Sequence, residues 1–210
     1  MGLRSAFDLL LGSEDSLQGM EDLIWQSLLG GASSKKHPWN EGTFSTAAMD
    51  GPDRARPKSR TVILRKADRS TLSVDFHTDI RSAKIDQLEN QDVCWLFYAT
   101  VTKMQLRLEG SATIIDGAEA DRAWAQTSLG SRSAYLSLAP PGTVVPDQHP
   151  PDTSDRSVSS LESERGRVNF RIVRTFVTTA DWLYLKREGH VRARLNYQDS
   201  GKCDCCWLVP

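Results

Sequence analysis

Four strand-like segments follow one another closely in the middle of the chain, and they limit its fold more than any other feature. All four are rich in Val, Ile, Leu, Thr and aromatic residues, which favour β-strands. They are Arg60–Lys66, Leu72–Thr78, Asp92–Ala99 and Lys103–Asp116. Because the connections between them are short, we predict antiparallel pairing. Thr43–Met49 is predicted as a further short strand, and Asp50–Lys58, with its glycine and prolines, as a turn or loop.

Strand character returns near the C-terminus. The predicted strands there are Val168–Val177, Trp182–Lys186, Val191–Tyr197 and Cys206–Val209. The stretch before them, Ala139–Arg165, is rich in Pro, Ser and Asp, and we expect a long, mobile loop. Many strands with few helices between them favour a mainly β fold, an antiparallel barrel that is closed or nearly closed, with peripheral α-helices.

Four segments are predicted as helices. In Glu14–Gly30 an apolar stripe recurs at helical spacing, with Asp15 or Ser16 as the N-cap and Gly30-Gly31 as the stop. The stripe consists of Leu17, Met20, Leu23, Ile24, Leu28 and often Trp25. Ser82–Asn90 is predicted as a short helix directly after a strand. The other two predicted helices are Ala118–Gln126 and Ser131–Leu138.

Charge and length narrow the class of protein. With 26 basic and 27 acidic residues the net charge is -1, so the protein lacks the overall positive charge that would attract a nucleic acid. No apolar run approaches the roughly 20 residues of a membrane-spanning helix. We expect a single domain over residues 1–210 in a cytoplasmic protein. Cys203, Cys205 and Cys206 lack the spaced pairs of a zinc site, so we expect free thiols and no metal.

Cations gather at the ends of two neighbouring predicted strands and in the turn that follows. A phosphate needs several donors from different segments, and a helix N-terminus adds free N–H groups. Arg60, Arg81, Ser82 and Lys84 could form such a pocket, although Arg and Lys at strand ends are more often simply solvated. Arg65 lies an odd number of positions from Arg60 and so faces the other side of a regular strand, which ranks it below Arg60.

The run from Thr43 to Gly110 resembles the pyridoxamine 5'-phosphate oxidase family, and more closely its divergent branch of FMN-binding, oxidase-related proteins. The matching pieces are Arg60-Thr61-Val62-Ile63-Leu64-Arg65, Phe76-His77-Thr78-Asp79, Arg81-Ser82-Ala83-Lys84 and Gln105-Leu106-Arg107-Leu108-Glu109-Gly110. A second block resembles the family's closing strands, and it consists of Asp181-Trp182, Arg192-Ala193-Arg194-Leu195 and Trp207-Leu208-Val209-Pro210. The resemblance implies an FMN-binding split barrel that works as a homodimer with flavin at the interface.

The resemblance also implies roles for individual residues. Arg60 and Lys84 would hold the FMN phosphate, and the Thr61–Ile63 backbone, with Val62 at its centre, would line the ring. Thr78, with His77, would contact the phosphate–ribityl end.

On the other side of the flavin, the resemblance implies that Gln105 reaches the ring. It further implies that Trp182 with Arg194 or Arg192 closes the site from the other subunit. Each residue also has a plainer interpretation, since Trp182 could be core packing, Gln105 a polar strand residue and His77 a satisfied strand-end histidine.

Two departures from the family pattern bear on function. Family members usually have Ser-Arg-Lys where this chain has Ser82-Ala83-Lys84, and we expect Arg81 to compensate. In the helix after the Gly110 strand, Gln126 falls near the position of a substrate-binding arginine, and Arg132 is the nearest cation. Flavin binding is therefore better supported than chemistry on pyridoxine phosphates.

The expected function is an FMN-dependent oxidoreductase in which a small-molecule substrate gives a hydride to flavin N5. The sequence identifies neither the substrate nor a catalytic residue. The alternatives are a non-catalytic flavin-binding or flavin-storing protein, and a barrel of the same kind that binds haem or a deazaflavin. The absorption spectrum would separate the flavin interpretations from the last one.

Overall fold

The computed structural model describes residues 7–8, 10–11, 16–49, 54–88, 91–144, 159–198 and 202–210. Within these ranges nine strands join in one antiparallel sheet. The strands are β1 (Glu41–Met49), β2 (Ala55–Ile63), β3 (Lys66–Asp68), β4 (Ser73–Asp79), β5 (Asp92–Ala99), β6 (Met104–Ile115), β7 (Phe170–Tyr184), β8 (Val191–Tyr197) and β9 (Cys203–Leu208). The helices are α1 (Ser16–Ser33), α2 (Ala118–Gln126), α3 (Leu129–Arg132) and α4 (Ser160–Ser163), with 3₁₀ segments at Ser133–Tyr135 and Glu164–Asn169.

The sheet closes because one run of chain pairs with two different strands in succession. β2 pairs with β1, and the ladder continues to Leu64, whose N–H donates to the Asn40 carbonyl at 2.8 Å. At the next residue the pairing changes sides, since Arg65 N–H donates to the Asp75 carbonyl at 2.8 Å and β3 then pairs with β4. The strand order β1–β2/β3–β4–β7–β6–β5 returns to β1. This confirms the predicted antiparallel barrel.

The long strand β7 pairs with one strand along one edge and with two strands in succession along the other. One edge pairs with β6 along its length, while the other edge pairs with β4 over residues 170–176 and with β8 over residues 179–184. The change coincides with a register shift in β6 between Glu109 and Gly110. A side chain at Gly110 would place Cβ 1.9 Å from the Phe176 carbonyl oxygen, so this bulge requires glycine. β8 and β9 consequently leave the barrel as a separate flap of the sheet.

The barrel interior is aromatic. The rings of Phe44, Phe76, Trp95 and Phe97 are fully buried and contact one another, with centroids 4.8 Å apart for Phe44 and Phe76 and 5.4 Å apart for Trp95 and Phe97. Such side chains occupy alternate positions of their strands, which leaves the intervening residues on the outer face. Removing one of these rings would cost about 3–5 kcal/mol, so they fix the platform on which the outer residues lie.

Helix α1 confirms the predicted stripe but not its predicted end. Met20, Ile24, Trp25 and Leu28 are buried against the barrel. The helix nevertheless continues through Gly30-Gly31 to Ser33. A Cβ at Gly31 would lie 2.6 Å from the Trp39 carbonyl oxygen, so this glycine serves close packing and not termination. Asp15 and Ser16 are the two predicted N-caps. Asp15 and the side chain of Ser16 lie outside the described residues.

The predicted helix Ser82–Asn90 is wrong over its described part, residues 82–88. This segment is a series of turns with i to i+3 hydrogen bonds, such as Ile85 N–H to Ser82 O at 2.9 Å and Leu88 N–H to Ile85 O at 3.1 Å. Two apolar residues three apart satisfy a three-residue turn as well as an α-helix, so the spacing misled the prediction. The helical N-terminus expected to face a phosphate is therefore not present there.

Several other predicted boundaries are corrected. The loop Asp50–Lys58 is too long because β2 begins at Ala55, and Ser131–Leu138 is divided between α3 and the first 3₁₀ segment. Val168–Val177 and Trp182–Lys186, predicted as two strands, belong to the single strand β7. β9 begins at Cys203, not Cys206.

The predicted loop Ala139–Arg165 contains regular structure in its last part. α4 begins with a capping box in which Ser159 and Glu162 each bond the other's backbone N–H, and the second 3₁₀ segment follows it. Residues 145–158 of that predicted loop lie outside the described residues. None of the described helices is long and apolar enough to cross a membrane.

Candidate functional site

Arg60 points into one end of the barrel and is held there by polar partners. Its Nη1 donates to Thr46 Oγ1 at 2.9 Å and to the Phe44 carbonyl at 3.3 Å, and its Nη2 donates to Gln87 Oε1 at 3.0 Å. Thr46 Oγ1 in turn donates to the same Gln87 oxygen at 2.6 Å. Strand β1 and the 82–88 turns thus fix the guanidinium. None of these partners carries a negative charge.

Lys84 lies beside Arg60 in the same cluster. Its Nζ donates to Thr78 Oγ1 at 2.9 Å and to Ser82 Oγ at 2.7 Å. Burial lowers the pKa of Lys84, the charge of Arg60 lowers it further, and Asp79 offsets part of the effect. Among the described residues, no carboxylate forms an ion pair with Lys84 or Arg60. We call this group, which comprises Thr46, Arg60, Thr78, Ser82, Lys84 and Gln87, the cation cluster.

The cation cluster suits a phosphate monoester. Two desolvated like charges without a counter-ion are unfavourable, and an anion placed between them would remove the repulsion while accepting charge-assisted hydrogen bonds. The hydroxyls of Thr78 and Ser82 accept from Lys84 and keep their own protons, so they add neutral donors around the same point. Sequence reasoning missed Thr46 and Gln87. The inward alternation of β1 would have indicated Thr46, whereas no sequence signal places Gln87.

Arg81 does not join the cation cluster. Its guanidinium binds both oxygens of Asp79, through Nε at 3.0 Å and Nη2 at 2.7 Å, and its Nη1 donates to the Ser137 and Leu138 carbonyls at 2.9 and 3.3 Å. These bonds tie the turns after β4 to the segment after the first 3₁₀ helix. The expected compensation for Ala83 is therefore not what the structure shows.

His77 and Arg65 line a different region, on the outer side of β4. They border a cleft of about 600 Å³ between the end of α1, strands β3 and β4, and helix α2. Burial, and secondarily the charge of Arg65, lowers the pKa of His77 to about 4, so its imidazole is neutral at neutral pH. Thr78 and His77 thus face opposite sides of β4. Arg60 and Arg65 are likewise apart, as strand alternation predicts.

The same cleft contains the α2 positions expected near a substrate. Gln126 and Arg122 line it, one helical turn apart. Arg132 does not, because its Nη1 pairs with Glu164 Oε1 at 2.6 Å and its remaining N–H groups donate to backbone carbonyls, including Trp124 O at 2.8 Å. Arg132 is therefore a structural residue that anchors α4.

The outer face of the sheet carries a row of residues that are directly opposite one another on successive strands. From β2 to β8 the row is Thr61, Thr43, Leu96, Arg107, Asp181 and Arg194. Directly paired residues point to the same face. At about 4.8 Å per strand, the five steps from Thr61 to Arg194 cover about 24 Å along the curved sheet.

The far end of this row is an arginine group around Asp181. Arg192 donates to both Asp181 oxygens at 2.9 Å, and Arg107 and Arg194 donate to Oδ2 at 3.2 and 3.3 Å. Gln105 lies two positions from Arg107 on the same face of β6. Sequence reasoning missed Arg107 and Asp181 as a unit. An aspartate within an apolar strand, with arginines in both neighbouring strands, is the signal that could have found them.

Trp182 lies on the opposite face, within the core. Its side chain is 0% exposed and stacks on Phe7, with ring centroids 5.0 Å apart. Its indole N–H has no hydrogen-bond partner in the described part of the chain. The structure therefore does not bring Trp182 to Arg192 and Arg194, and its core interpretation fits the observed packing.

Cys203, Cys205 and Cys206 are free thiols, and the described residues contain no group of metal-ligating side chains.

Part of this chain is similar in sequence to known proteins. Residues 22–116 match the family model for the FMN-binding domain of pyridoxamine 5'-phosphate oxidase. Pyridoxine/pyridoxamine 5'-phosphate oxidase 2 of Arabidopsis thaliana is 30% identical over 127 residues, which are 55% of this chain and 63% of that protein. The pyridoxine/pyridoxamine 5'-phosphate oxidase of Cupriavidus metallidurans is 33% identical over 94 residues, 44% of this chain and 42% of that protein. The matches thus span less than two thirds of either relative.

Two solved structures share the fold. A pyridoxamine 5'-phosphate oxidase-related, FMN-binding protein from Nostoc punctiforme superposes with a TM-score of 0.66 at 22% identity, covering 89% of this chain and 96% of that one. PhzG from Burkholderia lata gives a TM-score of 0.66 at 18% identity, covering 97% and 96%. The chain is therefore similar to the pyridoxamine 5'-phosphate oxidases, and residues 22–116 match the model of their FMN-binding domain.

Proposed function

We propose that this protein binds one FMN at each of two sites in a homodimer and acts as an oxidoreductase on a small molecule. The observation that carries the proposal is the cation cluster, in which Arg60 and Lys84 lie together without a carboxylate partner among the described residues. One terminal phosphate would complete it. The matched domain, an FMN-binding domain, supports the same cofactor.

The distance between the two ends of the outer row supports the homodimer, provided that Arg194 contacts a flavin as the resemblance implies. A flavin held by the cation cluster and the Thr61–Ile63 backbone is too far along the sheet from Arg194 of the same chain to contact it. A second copy facing this surface would bring its own Gln105, Arg192 and Arg194 to that flavin. Between the two ends, Leu96 and Tyr98 are 36% and 39% exposed, which leaves apolar surface for a partner to cover.

Bound FMN supplies a ring that accepts a hydride at N5. The residues of the chain then need only to bind, orient and exclude water. Arg60 and Lys84 fix the phosphate end, and the arginine side chains of the facing subunit present positive charge to the reduced ring. The cleft beside His77 and Arg65 is the proposed place for the substrate, because it is concave, adjoins the strand that follows the flavin segment and contains both apolar and charged groups.

The absorption spectrum of the purified protein tests the proposal. We expect flavin bands that remain after desalting, and a released cofactor that chromatographs as FMN and not FAD. A haem or deazaflavin spectrum, or a colourless protein that cannot be loaded with FMN, would contradict it. Anaerobic reduction by a nicotinamide cofactor or an amine, followed by reoxidation with oxygen, separates an oxidoreductase from a flavin-storing protein.

A further inference from the structure

Asp181 is the most heavily bonded carboxylate on the outer face of the sheet. Its side chain is only 3% exposed, and guanidinium groups surround it. Four N–H groups from three arginines reach its two oxygens. The arginines come from β6 and β8, the strands on either side of β7, so the contact does not depend on loop conformation.

The arginines keep donors that Asp181 does not use. A guanidinium has five N–H groups, and Arg194 gives one of them to Asp181, while Arg192 gives two. Both side chains remain partly accessible. Arg107 is further neutralised by Glu109, with Nε and Oε1 2.9 Å apart. Arg192 and Arg194 therefore combine a fixed position and partial exposure with donors that Asp181 does not use.

The charges persist at neutral pH. Burial alone would raise the pKa of Asp181, but the hydrogen bonds and charges of Arg192, Arg107 and Arg194 outweigh it and hold the pKa below its usual value. Three guanidiniums face two carboxylates in this group, counting Glu109, which leaves an excess positive charge on the outer surface.

We propose that Asp181 is a positioning residue that holds Arg194 and Arg192 in the orientation in which they meet the flavin bound mainly by the partner subunit. The inference rests on the proposed function. Long arginine side chains lose considerable rotamer freedom when they are fixed, and Asp181 fixes them before the flavin arrives. Without it, the guanidiniums would repel one another and turn to solvent.

A double-mutant cycle on the FMN-loaded protein tests this. The readout is the dissociation constant of sulfite, which adds to flavin N5 and binds more tightly when positive charge stabilises the anionic ring. We expect R194A to weaken sulfite binding about tenfold in the otherwise unchanged protein, and less than about twofold in the D181N background. Equal effects in both backgrounds would overturn the proposal, because Asp181 would then not position Arg194.

Glu109→Gln is the matched control. It removes a carboxylate from the same group but does not touch Arg194, so R194A should keep its full effect in that background. If D181N does not fold, D181S serves in the same cycle. FMN stoichiometry is measured first. A protein that binds no FMN would refute the proposed function together with this inference, whereas equal R194A effects in an FMN-loaded protein refute the inference alone.

Discussion

Lys84→Met offers the sharpest test of the cation cluster. In the structure the ammonium group makes two hydrogen bonds to neutral hydroxyls, lies beside Arg60 and forms no ion pair with a carboxylate of the described residues. If FMN phosphate is the missing anion, the substitution removes one charge-assisted hydrogen bond, worth about 1.5–3 kcal/mol. At about 1.4 kcal/mol per factor of ten, the FMN dissociation constant should rise by about 10- to 100-fold.

Riboflavin provides the internal control, because it has the same ring without the phosphate. We expect its affinity to change less than about threefold, since a remote ammonium group has no bond to it. The thermal midpoint of the FMN-free protein should not fall, because Met retains the aliphatic stem and removes a desolvated charge next to Arg60. Fluorescence quenching titrations of apoprotein with FMN and riboflavin measure both constants.

Lys58→Met is the matched variant. Lys58 is an exposed lysine on the same strand as Arg60, and its loss changes the net charge equally. FMN affinity should be nearly unchanged in this variant at physiological salt. The reasoning fails if Lys84→Met weakens FMN and riboflavin equally, or if Lys58→Met weakens FMN as much as Lys84→Met does.

Further predictions concern the bulge, the dimer, the substrate and acid stability. Gly110→Ala should destabilise the protein by about 1–3 kcal/mol or more, and an unchanged thermal midpoint would contradict the 1.9 Å approach of its Cβ to a β7 carbonyl. Mixing Arg60→Ala chains with Arg194→Ala chains should restore roughly a quarter of the sites by random reassortment, whereas a monomer in sedimentation would refute the shared site. Pyridoxamine and pyridoxine phosphates should turn over slowly with oxygen as acceptor because Gln126 stands where a cation is expected, and rapid turnover at micromolar substrate would show another cation in that role. As the pH falls from 6.5 to about 4, His77 takes up a proton in the unfolded state before it does so in the folded state, so the free energy of unfolding decreases as the pH decreases. His77→Gln removes this effect and should unfold at a lower pH in acid titrations followed by circular dichroism.

Local signals in the sequence located several elements to the residue. β5 at Asp92–Ala99, α2 at Ala118–Gln126 and β8 at Val191–Tyr197 have the bounds that their composition predicts. Each is bordered by turn-forming or polar residues and has a pattern that one local structure satisfies. Where the pattern fits two structures, as in the turns around Ile85 and Leu88, the predicted helix is wrong.

For the candidate site, the sequence identified residues but not their grouping. Strand alternation correctly separated Arg60 from Arg65, because it is a local property of the backbone. The path of the turns after β4 places Lys84 beside Arg60 and lets Arg81 bind Asp79. No local sequence pattern indicates this path. The roles of these residues toward flavin remain predictions.

By itself the sequence determined a mainly antiparallel β chain with an amphipathic helix and a family pattern around Arg60 and Lys84, since these rest on periodicity, composition and order. Only the tertiary structure decided how the barrel closes, because the partner of a strand is set by which edges meet in three dimensions. It also decided that Trp182 is buried in the core and that three arginines donate hydrogen bonds to Asp181. Neighbouring residues on one strand face opposite sides, so the register of strands far apart in sequence determines which side chains share a surface.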